Sequence, residues 1–156
     1  MEGELNDHQK TEPQADGIFV CKTFSSEEVK KLPELNLITY IKLVEPIAAE
    51  IEKSTGISKF VPIVQSAHES RYGNSGLARN HCNLFGIVAT DWWKKKGGAI
   101  ASLQTWEEIK GKRVDLVREF REYPTWLESF EDWARLITTL GIYKKAWDLM
   151  KDPGTV

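Results

Sequence analysis

One helical pattern, which ends at a glutamate before a glycine turn, constrains this chain more than any other feature. Residues 60–70 have the sequence Phe-Val-Pro-Ile-Val-Gln-Ser-Ala-His-Glu-Ser, and Arg-Tyr-Gly follows. The apolar side chains of this segment recur at helical spacing, and Pro62 is tolerated in a first helical turn. The pattern predicts a helix that carries Glu69 near its end, on a face away from the apolar stripe. Taken alone, this placement favours an ordinary solvated glutamate.

A longer helical pattern precedes this segment. Its apolar positions recur every three or four residues: Leu37, Tyr40, Ile41, Val44, Ala48 and Ile51. Thr55-Gly56 is a typical end for such a helix, because glycine readily adopts the left-handed conformation that follows a last turn. After the glutamate, a polar cap at Asn74 or Ser75 predicts a short helix that reaches Asn80.

A third helical pattern occupies the carboxyl-terminal part of the chain. Thr125 and Glu128 form a Thr-x-x-Glu capping box, which is a signature of a helix start. The apolar stripe that follows consists of Trp126, Phe130, Trp133, Ile137 and Leu140. We expect Gly141 to end this helix and a further helix to run from Tyr143 to Met150.

The stretch between Gly97 and Phe120 is predicted to form a small β lobe. Its apolar residues recur at strand-like spacing: Ile100, Leu103, Val114, Leu116 and Phe120. The sequence Ile109-Lys-Gly-Lys112 between them is typical of a turn that joins two short strands. The chain is therefore expected to be α+β, mainly α.

The composition limits both the domain organisation and the ligands. Residues 1–17 carry almost no apolar side chains, so 1–35 is interpreted as a polar tail or linker and 36–156 as the folded domain. A net charge of −2 argues against a nucleic-acid ligand, which requires a broad excess of Lys and Arg. No apolar run approaches the ~20 residues of a spanning helix, so membrane insertion is not expected.

The segment around Glu69 is the first of an ordered series of motifs. The others are Asn83-Leu-Phe-Gly-Ile87, Thr105-Trp-Glu107 with Gly111, Phe120-Arg-Glu-Tyr123 and Glu128-Ser-Phe-Glu-Asp132. In order and spacing, over about residues 40 to 147, they resemble the bacterial peptidoglycan N-acetylglucosaminidases. This family is glycoside hydrolase family 73, mannosyl-glycoprotein endo-beta-N-acetylglucosaminidase-like enzymes of the lysozyme-like superfamily. The resemblance implies a two-lobe fold in which a helical lobe and a β-hairpin lobe flank a glycan groove.

The resemblance also implies catalytic roles for three residues. Glu69 matches the general acid of the family, which would protonate the leaving oxygen of a glycosidic bond. Glu107 matches the second carboxylate, with Glu108 as its nearest rival. It would act as general base or would orient an attacking N-acetyl group, and the sequence does not separate these mechanisms. Tyr123 matches a tyrosine near the acid, whose phenol would bind the acetamido group or position a water; interface packing is the alternative.

A second set of residues is expected to bind the sugar chain: Asn83, Phe85, Gly86, Trp92, Trp93 and Trp126. The aromatic rings offer flat apolar faces on which sugar rings stack, although burial is the commoner finding for any one aromatic residue. The neighbours Trp92 and Trp93 are the preferred candidates. Asn83 and Gly86 are typical turn residues, and Gly86 permits close approach of the backbone.

No metal or other cofactor is expected. The pair His68-Glu69 begins like the zinc-binding motif His-Glu-x-x-His, but a tyrosine stands where the second histidine is needed. His81 and Cys82 are the nearest further ligand candidates, and His68 is interpreted as a packed or hydrogen-bonded residue. Cys21 and Cys82 are interpreted as free thiols rather than a disulfide.

The expected function is peptidoglycan hydrolysis at the β-1,4 bond between N-acetylglucosamine and N-acetylmuramic acid. The alternatives are a lytic transglycosylase or muramidase of the same superfamily, and a catalytically silent wall-binding module. The protein would act as a monomer on glycan strands of the cell wall, in the periplasm or outside the cell. Since no signal peptide is recognisable, delivery is expected from a longer parent protein, by phage-type release or by a secretion machine. Relatives continue with another helix, which predicts a catalytic domain truncated at its carboxyl end.

Overall fold

A computed structural model of the chain describes residues 23–150. This part of the chain contains seven α-helices, a short 3-10 helix and one two-stranded antiparallel sheet. The elements are α1 (Ser26–Lys30), α2 (Leu37–Thr55), α3 (Phe60–Ser70), α4 (Gly76–His81), α5 (Asp91–Lys95), β1 (Ile100–Ile109), β2 (Lys112–Arg121), α6 (Trp126–Thr139), the 3-10 helix (Gly141–Tyr143) and α7 (Lys144–Met150). The predicted fold class, α+β and mainly α, is confirmed.

The helical lobe is built around α2, α3 and α6, the three helices that the apolar stripes predict. Tyr40 of α2 and Trp126 of α6 are completely buried and meet edge to face, with ring centres 5.9 Å apart. The Tyr40 hydroxyl donates a hydrogen bond to Ser66 Oγ of α3 at 2.7 Å. Because aromatic contacts and a buried hydrogen bond join all three helices, the lobe has a single core.

The helix ends lie at the predicted caps. Gly56 follows α2 with a φ of 73°, in the left-handed region that suits glycine. The side chains of Ser75 and Thr125 each accept a hydrogen bond from a backbone N–H in the first turn of α4 and α6, respectively. These local signals set where the helices begin and end, and thereby where the connecting loops lie.

Residues 23–35 pack on the helical lobe, so the predicted tail of residues 1–35 is wrong for this part. Phe24, Val29 and Leu35 are buried in the core. Arg79 also ties the segment down, since its Nη1 donates to the carbonyl oxygen of Val29 at 2.8 Å. The low apolar content at the start of the chain favoured a tail. Residues 23–35 nevertheless pack on the lobe through a few buried apolar side chains and hydrogen bonds to their backbone. Residues 1–22 lie outside the described part.

The hairpin lobe consists of β1 and β2, which pair antiparallel over ten residues each. Lys110 and Gly111 have positive φ values of 52° and 74°, as two-residue turns between right-twisted strands require. The turn lies where it is predicted.

The base of the hairpin is attached to the helical lobe. Val88 bridges to Phe120, and the Arg121 N–H donates to the carbonyl oxygen of Ile87 at 2.9 Å. Farther out, Trp106 and Val117 are exposed. The two ends of the hairpin therefore differ: the inner end is part of the core region, and the outer half is a two-stranded ribbon.

Candidate active site

Glu69 occupies the last turn of α3, where the chain turns sharply. Arg71 ends the helix with a φ of 53°, and Gly73 continues the turn with a φ of 76°. Gly73 packs closely on Trp126, because a Cβ at this glycine would lie 2.9 Å from the indole ring. Ser70 Oγ accepts a hydrogen bond from the Gly73 N–H at 2.7 Å. Buried contacts thus fix the end of α3, while the Glu69 side chain remains 46% exposed.

The loop after α4 brings its backbone beside the Glu69 carboxylate. Gly86 has a φ of 64°, and a Cβ at this position would lie 3.9 Å from Glu69 Oε2. Asn83 holds the loop in this shape: its Nδ2 donates to the carbonyl oxygens of Ile87 and Arg121, at 2.9 and 2.8 Å, and its Oδ1 accepts from the Ile87 N–H at 3.1 Å. Asn83 is 1% exposed, so the structure corrects its predicted role in sugar binding to that of a loop brace.

A groove of about 390 Å³ begins at this loop and continues between α3 and α6. Gln65, Phe85, Gly86 and Trp133 are among the residues that line it. The Phe85 ring stacks on Trp133 with ring centres 5.4 Å apart and planes 18° apart, and only 6% of Phe85 is exposed. Glu69 lies beside the groove, next to Gly86. The arrangement therefore combines a partly exposed carboxylate with an apolar, aromatic wall.

A buried ionic network lies behind the groove. Arg121 Nη1 donates to Asp132 Oδ2 at 2.7 Å, and the Tyr123 hydroxyl donates to the same oxygen at 2.6 Å. Arg135 Nη2 donates to Oδ1 of the same carboxylate at 2.7 Å. Burial by itself raises the pKa of Asp132, but the hydrogen bonds from Tyr123, Arg135 and Arg121 outweigh it and hold the pKa below its ordinary value. Asp132 is therefore an ionised anchor for the groove wall.

Tyr123 belongs to this network. It is 4% exposed, and its ring meets Trp93 edge to face at 5.8 Å. Burial first, and then the hydrogen bond to and charge of Asp132, raise the pKa of the Tyr123 phenol far above its usual range. The phenol thus stays protonated and donates to Asp132, and the structure shows no contact between Tyr123 and Glu69.

The three candidate tryptophans have different environments. Trp92 is 53% exposed, with Lys96 Nζ 4.3 Å and Arg135 Cζ 4.9 Å from its ring centre. Trp93 is 8% exposed, and its Nε1 donates to the Ala99 carbonyl oxygen at 2.8 Å. Trp126 is completely buried in the core, so its predicted stacking on a sugar ring is wrong. Of these three rings, Trp92 is the one with a large exposed surface.

Glu107 lies in the outer half of the hairpin, where Arg118 Nη2 donates a hydrogen bond to its Oε1. Its side chain is 40% exposed. Glu107 is six residues along β1 from Ala101, which pairs with Phe120 at the hairpin base. At about 3.3 Å per residue, this places it about 20 Å from the base. The contact that the structure gives the Glu107 side chain is with Arg118, and it shows no contact between Glu107 and Glu69. Glu108 is exposed on the opposite face of the ribbon, where it lies across from Arg113 in the strand register.

The described residues do not group into a metal site. No cluster of three or more His, Cys, Asp or Glu side chains with suitable spacing occurs in residues 23–150. His68 is exposed and its Nδ1 lies 3.9 Å from Glu69 Oε1, too far for a hydrogen bond, so neither the predicted packing nor the predicted hydrogen bonding of His68 is seen. Cys82 is a free, buried cysteine, and burial raises the pKa of its thiol to about 12. Cys21 lies outside the described residues.

Two features of the site escaped prediction. Asp132 interrupts the apolar stripe of α6, and a charged residue flanked by buried positions is the signal that could have identified the ionic network. Gln65 lies in the motif around Glu69, but the motif alone does not indicate a role for it. Its contact with Trp133 joins residues 68 positions apart, which local sequence patterns do not reveal.

Comparison with known proteins identifies the family of this chain. Residues 45–154 match the glucosaminidase family, described as mannosyl-glycoprotein endo-beta-N-acetylglucosaminidase. The chain belongs to this glucosaminidase family. The predicted resemblance is thereby confirmed, and with it the enzyme class, a glycoside hydrolase.

Individual relatives agree with the family match. A probable N-acetylmuramidase of Lactococcus lactis is 33% identical over 114 residues, which cover 69% of this chain and 25% of that protein. The exo-glucosaminidase LytG of Bacillus subtilis is 40% identical over 76 residues, or 49% of this chain and 25% of LytG. The chain thus spans about a quarter of the length of these curated relatives.

A solved structure supports the fold. The catalytic domain of the autolysin Auto from Listeria monocytogenes superposes with a TM-score of 0.57 at 28% identity, covering 71% of this chain and 62% of that one. The glucosaminidase domain therefore has the predicted lysozyme-like arrangement of a helical lobe and a small hairpin lobe.

Proposed function

We propose that this glucosaminidase domain hydrolyses peptidoglycan at the β-1,4 bond between N-acetylglucosamine and N-acetylmuramic acid, with Glu69 as the general acid. The observation that carries the proposal is the position of Glu69 Oε2 beside Gly86, at the edge of an aromatic-walled groove. Glycoside hydrolysis requires a carboxylic acid that protonates the leaving oxygen while the sugar is held still. A carboxylate on a fixed helix end next to a groove meets this requirement.

The groove and its surroundings supply candidate contacts for the sugar chain. Gly86 lets the backbone of the loop approach the substrate, and the edge of Phe85 contributes apolar surface. Trp92 is 53% exposed, and the cationic side chains of Lys96 and Arg135 lie over its ring. Trp93 is buried against Tyr123, so it offers little surface to a sugar. In the proposal, Tyr123 is a positioning residue that acts through Asp132, rather than a group that touches the acetamido substituent.

The candidate second carboxylate of the mechanism lies on the hairpin. Glu107 is the candidate from the resemblance, and its bond to Arg118 would have to break before it could reach a sugar bound beside Glu69. Its engagement with Arg118 on the outer half of the hairpin favours chemistry in which the substrate's own acetamido group attacks the anomeric carbon. In that mechanism Glu107 would orient the acetamido group only after the hairpin bends.

A muramidase is the second candidate, because the first relative named above is a probable N-acetylmuramidase at 33% identity. Mass spectrometry of the products from purified peptidoglycan distinguishes the candidates. Fragments with reducing N-acetylglucosamine ends, absent with Glu69→Gln, are expected. Reducing N-acetylmuramic acid ends would indicate a muramidase, anhydromuramic ends a lytic transglycosylase, and the absence of any fragment a silent binding module.

The proposed place of action is the cell wall, on glycan strands, with the protein as a monomer and without membrane insertion. None of the helices within residues 23–150 is long and apolar enough to cross a bilayer. Three routes are consistent with this place of action: delivery as part of a longer parent protein, phage-type release, and transport by a secretion machine.

A further inference from the structure

We propose that Gln65 determines specificity by donating a hydrogen bond to the acetamido carbonyl of the sugar bound beside Glu69. The inference rests on the proposed function, because it names the contact by which the same groove would select N-acetylated glycan. Gln65 precedes Glu69 by four residues in α3. Residues four apart lie on the same helix face, with Cβ atoms about 5–6 Å apart. The amide is therefore one helical turn from the acid.

The orientation of the Gln65 amide follows from its partner. Trp133 Nε1 donates a hydrogen bond to Gln65 Oε1 at 3.0 Å. An indole N–H can only donate, so the amide oxygen must face the ring and the amide nitrogen must point elsewhere. Gln65 lines the groove, and its Nε2 makes no hydrogen bond to any residue in the described part of the chain. Both N–H groups of Nε2 are thus available to a ligand.

The surroundings of Gln65 fit an acetamido group. The stacked rings of Phe85 and Trp133 give apolar surface that can cover a methyl group. Arg121 is the one charged side chain among the described residues that line this groove, and its charge is balanced by Asp132. A carboxylate would find no unpaired positive charge in this lining, and the groove surface around Gln65 itself, as formed by residues 23–150, carries no negative charge. A neutral group with one carbonyl acceptor and one methyl matches both features.

The test compares cleavage of two forms of the same peptidoglycan, one fully N-acetylated and one partly de-N-acetylated. Re-acetylation of a portion with acetic anhydride checks that the acyl group alone causes any difference. The variants are Gln65→Met, which keeps the side-chain volume but removes the donor, and Trp133→Phe, which removes the indole N–H that orients the amide. Gln104→Met is the matched control, because Gln104 is exposed on the hairpin, away from this groove.

The wild type is expected to prefer the N-acetylated form, measured as kcat/KM. In Gln65→Met this preference falls about two- to tenfold, the range for loss of one hydrogen bond, mainly through a higher KM. Trp133→Phe lowers the preference less, and Gln104→Met leaves it unchanged. An unaltered preference in Gln65→Met, or an equal loss of rate on both substrates, would overturn the inference and leave the proposed function standing. Full activity of Glu69→Gln would instead overturn the proposed function, and the inference with it.

Discussion

The two candidate carboxylates of this glucosaminidase domain lie in regions of opposite character. Glu69 is attached to a helix end that is held by Ser70 and by Gly73 packed on a buried tryptophan. Glu107 is attached to a ribbon of two strands whose outer half carries exposed Trp106. Catalytic groups act best when their support is rigid, since misplacement by an ångström lowers the rate strongly. The comparison indicates that the proposed acid Glu69 is preorganised and that its candidate partner Glu107 is not.

The ion pairs of the two regions show the same contrast. Arg121 and Asp132 are 3% and 9% exposed at their side chains, and they connect the hairpin base to α6. Glu107 and Arg118 are 40% and 45% exposed. Removing one member of a buried pair leaves an uncompensated charge and is strongly destabilising, whereas a surface pair contributes little. The inner region should therefore respond to substitution in stability, and the ribbon should not.

The largest effect is expected from Glu69→Gln. Loss of the acid removes proton transfer to the leaving oxygen, which lowers kcat by about 10²- to 10⁴-fold. Because the side chain is 46% exposed, the midpoint of urea unfolding should remain that of the wild type. Steady-state hydrolysis of peptidoglycan and urea denaturation measure the two quantities.

Glu50→Gln is the matched control for that substitution, because Glu50 is an exposed glutamate on α2. It should keep the wild-type rate. A Glu69→Gln protein within about threefold of wild type would contradict the role of the acid, since positioned acids contribute about 10²-fold or more.

The second largest effect is expected from Asp132→Asn, which removes the charge opposite the buried Arg121. The free energy of unfolding should fall by about 3 kcal/mol, the scale for a broken buried pair. Asp115→Asn breaks the exposed pair with Arg113 on the hairpin and should cost less than about 1 kcal/mol. Equal losses in the two variants would show that the inner and outer regions do not differ as proposed.

The same aspartate predicts an acid dependence of stability. Its folded-state pKa lies below its ordinary value, so the folded protein binds the proton less tightly than the unfolded chain does. The resulting stabilisation is present in full above the ordinary pKa and is lost as the pH falls through the folded-state pKa. Urea denaturation between pH 3 and pH 7 covers the ordinary pKa of about 4. Over this range, the free energy of unfolding should fall more steeply with decreasing pH in the wild type than in Asp132→Asn.

A smaller effect is expected from Gly86→Ala. The left-handed φ of 64° costs an alanine about 1–2 kcal/mol, and relief of this strain would shift the loop beside the Glu69 carboxylate. Both the free energy of unfolding and kcat should fall. Gly141→Ala is the control, because Gly141 has no positive φ and open space at its Cβ position. A Gly86→Ala enzyme with unchanged kcat would mean that the loop conformation does not position the site.

The sequence predicted those parts of the molecule that depend on local patterns. The caps at Gly56, Ser75 and Thr125 and the hairpin turn at Lys110 lie where predicted, because each is set by the conformations of adjacent residues. The short helix α5 was not predicted: it contains only five residues, too few for a periodic pattern, and its Thr90 cap is the remaining signal.

Contacts between distant segments were less predictable. Trp126 is of the same residue type as the exposed Trp92, and the packing of Phe24 and Tyr40 around Trp126 shows that it belongs to the core. The role of Asn83 as a brace depends on a hydrogen bond to Arg121, 38 residues away. Residue type can nominate a site, but burial by other segments decides whether the side chain reaches a ligand.

The smallest effect is expected from Glu107→Gln. The loss of its surface pair with Arg118 should change the free energy of unfolding by less than about 0.5 kcal/mol. If the substrate's acetamido group is the nucleophile, Glu107 only orients it, and kcat should fall about tenfold or less, below the range for a general base. Peptidoglycan hydrolysis by Glu107→Gln, Glu108→Gln and Arg118→Gln, each beside the wild type, measures these effects.

The Arg118→Gln variant separates the two mechanisms further, because it frees Glu107 without removing it. Under acetamido assistance its rate should remain near that of the wild type. A loss of 10²-fold or more in Glu107→Gln, together with a faster Arg118→Gln, would show that Glu107 is a general base that the ribbon must bring to the sugar. That result would mean that catalysis includes a motion of the hairpin. The helix end would hold the acid in place, and the hairpin would bring the base to the sugar.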